Sequence, residues 1–136
     1  AGDVAATQAS VEAGVSIGGV SIIDSCVIPN IDPAVFPAIG GNVVIEDFGA
    51  LGVLESFSVA ALIEGADAAV KAADVQLLEL RLAMALGGKA FAKMTGNVAS
   101  VEAAVEIGAA HIAQRGLLVN KVVIPAPAKE ILGEMV

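Results

Sequence analysis

The chain has 136 residues, of which 57% are hydrophobic and 3% aromatic, with a mean hydropathy of +0.84 and a formal charge of −8. That acidity, together with the lack of Trp and Tyr, excludes nucleic acid as a partner, because phosphate contacts need Lys and Arg clusters and base stacking needs aromatic platforms. Charged residues interrupt every apolar run before the ~18–20 residues of a membrane span, and no basic-then-apolar leader is visible, so no membrane role is expected.

The single cysteine, Cys26, has no internal disulfide partner, which fits a reducing cytosol. A core of Ala, Val, Ile and Leu in so apolar a chain is expected to hide surface against further copies, as an obligate oligomer.

Taken in order, Asp3 is placed to cap a helix whose Val4, Val11 and Val15 form an apolar stripe, and Gly18-Gly19 ends it. Val20 to Ile28 predicts a strand, apolar enough to be covered on both faces. Pro29 to Pro33 stops it, and Pro33 opens a short helix to Ile39. Gly40-Gly41-Asn42 reads as a boundary, and Ala50 to Glu55 as the next strand.

Ser58 then caps a helix with Val59, Leu62, Ile63, Ala66 and Val70 on its apolar face. Glu64, Asp67 and Lys71 lie on the opposite side, where Asp67 and Lys71 are spaced to pair. Val75 to Met84 alternates as a half-buried strand, with a phase slip at Leu78-Glu79 that predicts a β-bulge. Gly87-Gly88 supplies the turn into a strand from Lys89 to Thr95.

Asn97 caps a second long helix that faces the sheet through Val98, Val101, Val105, Ala109 and Ile112. Gly116 closes that helix, Leu117 to Ile124 is the last strand, and Pro125-Ala126-Pro127 leads to a short terminal helix. The order β-α-β-β-α-β from Ala50 to Met135 is the split β-α-β arrangement. The expected class is therefore α+β and ferredoxin-like, an antiparallel sheet with two helices on one face.

Part of this unit is written twice. Gly96 to Gly108 is echoed by Gly2 to Gly14, and Val119-Asn120-Lys121-Val122-Val123-Ile124-Pro125 by Ile23-Asp24-Ser25-Cys26-Val27-Ile28-Pro29, the offset moving from 94 to 96. Repeats at such spacing mark duplicated supersecondary units. Residues 1–42 are expected to be the C-terminal part of a first unit and 43–136 a complete second one. The first part is too small to bury a sheet face alone. Its missing strand-helix-strand is expected from residues outside this sequence, from a cleaved fragment or from a neighbouring subunit.

Read together, Ala50-Leu51-Gly52-Val53-Leu54-Glu55, Ala66 to Val75, Gly87-Gly88-Lys89, Thr95-Gly96-Asn97-Val98 and Val123-Ile124-Pro125-Ala126-Pro127 make the chain resemble the bacterial microcompartment (BMC) shell proteins, specifically the tandem-domain, trimer-forming members of the propanediol-utilisation type. The resemblance covers nearly the whole chain and implies a structural shell protein. It implies a homotrimer shaped like a hexamer, tiling with other shell proteins around encapsulated enzymes in the cytoplasm, with a central pore for small metabolites. Gly87, Gly88 and Lys89 fall on the family's pore loop, and Lys71, followed by Asp74, on its tile edge. Pro125-Ala126-Pro127-Ala128 departs from the family's Pro-Arg-Pro-His edge motif, and Asp74 replaces the common Asn. Some relatives hold an iron-sulfur cluster through a first-domain cysteine, but that loop falls outside this sequence, so no cofactor is expected.

Other residues invite chemistry and are better explained otherwise. Cys26, inside an apolar stretch, reads as a buried thiol rather than a metal ligand. His111 lies on a helix without a nucleophile at a motif spacing, and Glu102 and Glu106 read as a solvated face. Gly14, Gly18 and Gly19 end a helix instead of opening one from a strand, so they form no phosphate loop. No enzyme is expected, and the competing reading is a small-molecule-binding regulatory oligomer on a ferredoxin-like fold.

Overall fold

A computed structural model describes residues 2–45, 47–83, 88–128 and 130–131. Helix α1 (Val4–Gly18) begins at Asp3, whose carboxylate accepts from the Ala5 and Ala6 amides, and stops where Gly19 turns to φ 49°. None of its side chains is buried.

A single 3-10 turn, Gly19–Ser21, follows, and residues 22–28 form no strand. This departs from the strand expected over Val20 to Ile28. A strand exists only by exchanging hydrogen bonds with a neighbour. The segment is instead fastened through Asp24 to Ser58 and through Asp32 to Asp67, and among the described residues it pairs with no strand. Helix α2 (Val35–Gly40) then places Val35 and Ala38, both fully buried, into the same core as the residues beyond 42.

The sheet has the order β2-β3-β1-β4 and is antiparallel throughout. Its strands are β1 (Ala50–Ser56), β2 (Gln76–Arg81), β3 (Ala90–Gly96) and β4 (Leu118–Ile124). The predicted bulge is present in β2, where the pairing jumps from Leu77↔Met94 to Glu79↔Lys93. The extra residue, Leu78, lets Leu77 and Leu80 both enter the core while Glu79 stays on the outer face.

Helices α3 (Val59–Ala72) and α4 (Val98–Gln114) cover one face. Ser58 and Asn97 cap them as expected, accepting from the Ala61 and Ser100 amides. Leu54, Leu62, Met94, Val105 and Ile112 fill the layer between helices and sheet. Val98, at the start of α4, is instead partly exposed. Past Pro127 the described residues show one turn, Ile131 N–H to the Ala128 carbonyl at 3.0 Å, and the rest of the expected terminal helix lies outside them. Among the described residues no helix is long and apolar enough to cross a membrane.

The two helices cross glycine on glycine. A Cβ on Gly108 would lie 2.8 Å from the Gly65 carbonyl oxygen and 2.6 Å from Leu54 Cδ1, and one on Gly65 would lie 3.0 Å from the Gly108 carbonyl oxygen. Backbone cannot yield as a side chain can. Gly108→Ala is therefore expected to destabilise the fold by about 1–3 kcal/mol through overpacking, although Ala is the better helix former. Chemical-denaturation midpoints of the two proteins measure the difference.

Candidate functional site

The sequence-predicted site residues fall at opposite ends of the sheet. Lys89 precedes Ala90 at the start of β3, whereas the Asp74 carbonyl oxygen lies 3.0 Å from where a Gly96 Cβ would sit, at the strand's far end. Six strand residues separate these points by roughly 20 Å. One end is thus a hairpin tip, the other the α3-to-β2 turn.

At the hairpin tip Gly88 has φ +79°, a left-handed conformation that glycine adopts without strain. Ile23, from the segment after α1, lies 3.8 Å from the Cβ position of Gly88, so that segment reaches the tip. Lys89 Nζ pairs with Glu55 Oε1 at 2.7 Å, which neutralises much of the positive charge it presents. Gly87 lies outside the described residues.

At the other end Asp74 is exposed and, with Asp47, lines an open groove of about 850 Å³. Lys71 has taken the Asp67 carboxylate at 2.6 Å and also donates to the Asn30 carbonyl at 2.7 Å. Asp67 accepts from the Asp32 amide at 2.7 Å and is only 6% exposed. The side of α3 expected to face solvent is therefore covered by residues 24–32. This covering joins residues 35 apart in sequence, and no local pattern announces it.

The outer face of the sheet carries a short apolar strip fenced by ions. Val53, Phe91 and Val122 line a shallow depression of about 290 Å³ with Glu55, Lys93 and Asn120 around it. Lys93 lies 5.1 Å from the centre of the Phe91 ring and pairs with Glu79 at 2.7 Å. Glu79 also pairs with Arg81 at 2.5 Å.

Elsewhere Lys121 pairs with Glu106 at 2.5 Å, while Glu102 and His111 are exposed on α4. Cys26 is half-buried beside Glu64, Asp24 and Arg115. Among the described residues no three His, Cys, Asp or Glu side chains converge as metal ligands.

Compared with known proteins, residues 50–127 match the BMC domain family. The chain is 40% identical over 135 residues to the bacterial microcompartment shell protein PduT of Citrobacter freundii, covering 99% of this chain and 73% of that protein. It is 44% identical over 78 residues to the shell protein EutM of Salmonella typhimurium, covering 57% of this chain and 79% of EutM. A crystal structure of a microcompartments protein from Desulfitobacterium hafniense superposes with a TM-score of 0.86 at 45% identity, over 97% of this chain and 73% of that one.

Glu79 supplies a test of the outer face. Burial alone would raise its carboxyl, but hydrogen bonds and charge from Lys93 and Arg81 outweigh that and hold it below the ordinary 4.5. A carboxyl depressed in the folded state contributes stability above the unfolded value and loses it as pH falls through the folded one. Glu79→Gln is expected to cost up to about 1 kcal/mol at neutral pH, the range for a partly exposed pair. The gap from wild type should close under acid below the carboxylate range, as read from urea midpoints at both pH values.

Proposed function

The chain belongs to the BMC-domain family of bacterial microcompartment proteins, and on that premise we propose that it is a structural shell protein whose copies tile into the wall of such a compartment. The observation that carries this reading is the span of the PduT match. Identity to a shell protein runs through 99% of the chain and so includes residues 1–42, which lie outside the stretch matched as one BMC domain.

In this reading residues 1–42 are the end of a first domain and 43–136 a second, and three such chains form a six-sided tile. The Gly88-Lys89 turn faces the central opening, and the α3-to-β2 turn with Lys71 and Asp74 faces neighbouring tiles. The separation of these two turns along the sheet supports giving one to a centre and the other to a rim. Lys71 has three donors and spends two within the chain, on Asp67 and Asn30, leaving one for an adjacent tile. Lys89, paired with Glu55, gives the opening a polar lining with little net charge. The reading requires no catalysis and no resident cofactor. Fold class alone supports a regulatory oligomer, and fold does not fix function.

The test is assembly. Native mass spectrometry is expected to give three times the 13.4 kDa chain mass, and electron micrographs of concentrated protein should show sheets or tubes. A protein that stays monomeric at high concentration and never forms ordered arrays sinks the proposal.

A further inference from the structure

Arg115, at the C-terminal end of α4, joins parts of the chain far apart in sequence. Its guanidinium pairs with Glu64 on α3 and with Asp24 in the segment after α1, and donates to the Ser25 carbonyl at 3.3 Å. The other Asp24 oxygen accepts from the Ser58 hydroxyl, the same hydroxyl that caps α3. Farther along α3, Asp67 and Lys71 hold Asp32 and Asn30. Residues 24–32 are thus fastened at both ends of one helix.

The internal repeat shows that only one of these fastenings is an ion pair that the duplicate unit cannot reproduce. At the offset of 96, Asp24 corresponds to Asn120, a neutral amide. At offsets of 96 and 94 Arg115 corresponds to Gly19 and Ser21, neither of them a cation. The first unit therefore offers an anion where the second offers none, and the second offers a cation where the first offers none.

Resting on the two-unit reading above, we infer that the Asp24–Arg115–Glu64 cluster is a one-way lock: it seats the tail of a first unit on α3 and α4 of a second unit and fixes the order in which the two kinds of unit adjoin. A second unit placed beside another second unit would bring Asn120 to Arg115 and leave the guanidinium and Glu64 without the third charge. The partner for this surface is the Asp24-bearing segment of this same sequence.

Cys26 sits two residues from Asp24 and reports on the lock, because it is the sole thiol and is a half-buried member of the fastened segment. Its labelling by a soluble aromatic disulfide is expected to be slow in the wild-type chain and about tenfold or more faster in Arg115→Ala, as local opening exposes it. In Arg115→Ala electrostatics act in the opposite sense: the thiol is raised by burial, Glu64 and Asp24, while Arg115 lowers it, so removing Arg115 by itself slows thiolate formation. Faster labelling of Arg115→Ala therefore reports opening and not reactivity.

Asp24→Asn keeps Arg115 but removes a charge that raises the thiol, so its rate is compared with wild type per thiolate, using the ionised fraction from each protein's own pH profile, and on that scale it should also be faster; Arg115→Lys should fall between Ala and wild type. Added salt should accelerate labelling of the wild type and not of Arg115→Ala. Wild-type labelling rates in both Arg115→Ala and Asp24→Asn overturn the lock; if Arg115→Ala does not fold, the thiolate-corrected rate of Asp24→Asn decides alone. Native mass read alongside separates the two ideas. A monomeric wild type with fast-labelling variants keeps the lock and discards the ring, whereas a trimer with unchanged labelling keeps the ring and discards the lock.

Discussion

The close crossing of α3 and α4 at Gly65 and Gly108 constrains everything around it. With backbone against backbone, the two helices lie side by side at a distance that larger residues would forbid, and both reach the same face of the sheet. Leu54, Leu62 and Ile112 can then interdigitate in one thin layer. The opposite face keeps no covering element among the described residues. It is held instead by cross-strand pairs: Glu79 with Lys93 and Glu55 with Lys89, around Val53 and Phe91. The product is a two-layer slab with one oily interior and one ion-fenced exterior.

Helix α3 is unusual in this slab because it is covered on two sides. Its apolar stripe meets the sheet and α4, while Glu64, Asp67 and Lys71, spaced as a solvent-facing row, meet the segment 24–32. Burying Asp67 is tolerable only because both carboxylate oxygens have donors, the Asp32 amide and the Lys71 ammonium. Residues 24–32 are held to α3 by hydrogen bonds to its side chains and its capping hydroxyl, and α1, earlier in the chain, buries nothing.

What was legible in the sequence follows the range of the interactions. Ser58 and Asn97 cap their helices through amides three residues on, and the bulge at Leu78 follows from a slip in alternation within one strand. These are local choices. The strand expected over Val20 to Ile28 failed because pairing depends on an edge that the local sequence does not contain. The burial of Asp67 and the pairing of Arg115 with Asp24, 91 residues away, left no trace in periodicity or spacing. For Gly88, Lys89, Lys71 and Asp74 it was the family resemblance that suggested roles. The geometry adds that Lys89 and Lys71 each already hold a carboxylate partner.

That last point extends to every described cation. The sequence holds seven Lys and Arg, and the six among the described residues, Lys71, Arg81, Lys89, Lys93, Arg115 and Lys121, each contact a carboxylate within the chain. Against the formal charge of −8, the described cations thus offer an approaching copy little beyond the one donor that Lys71 keeps. Lateral association of such slabs works against mutual repulsion, so apolar contact and dissolved counterions must overcome it, and the ionic strength of the surrounding fluid becomes a control on whether a wall grows.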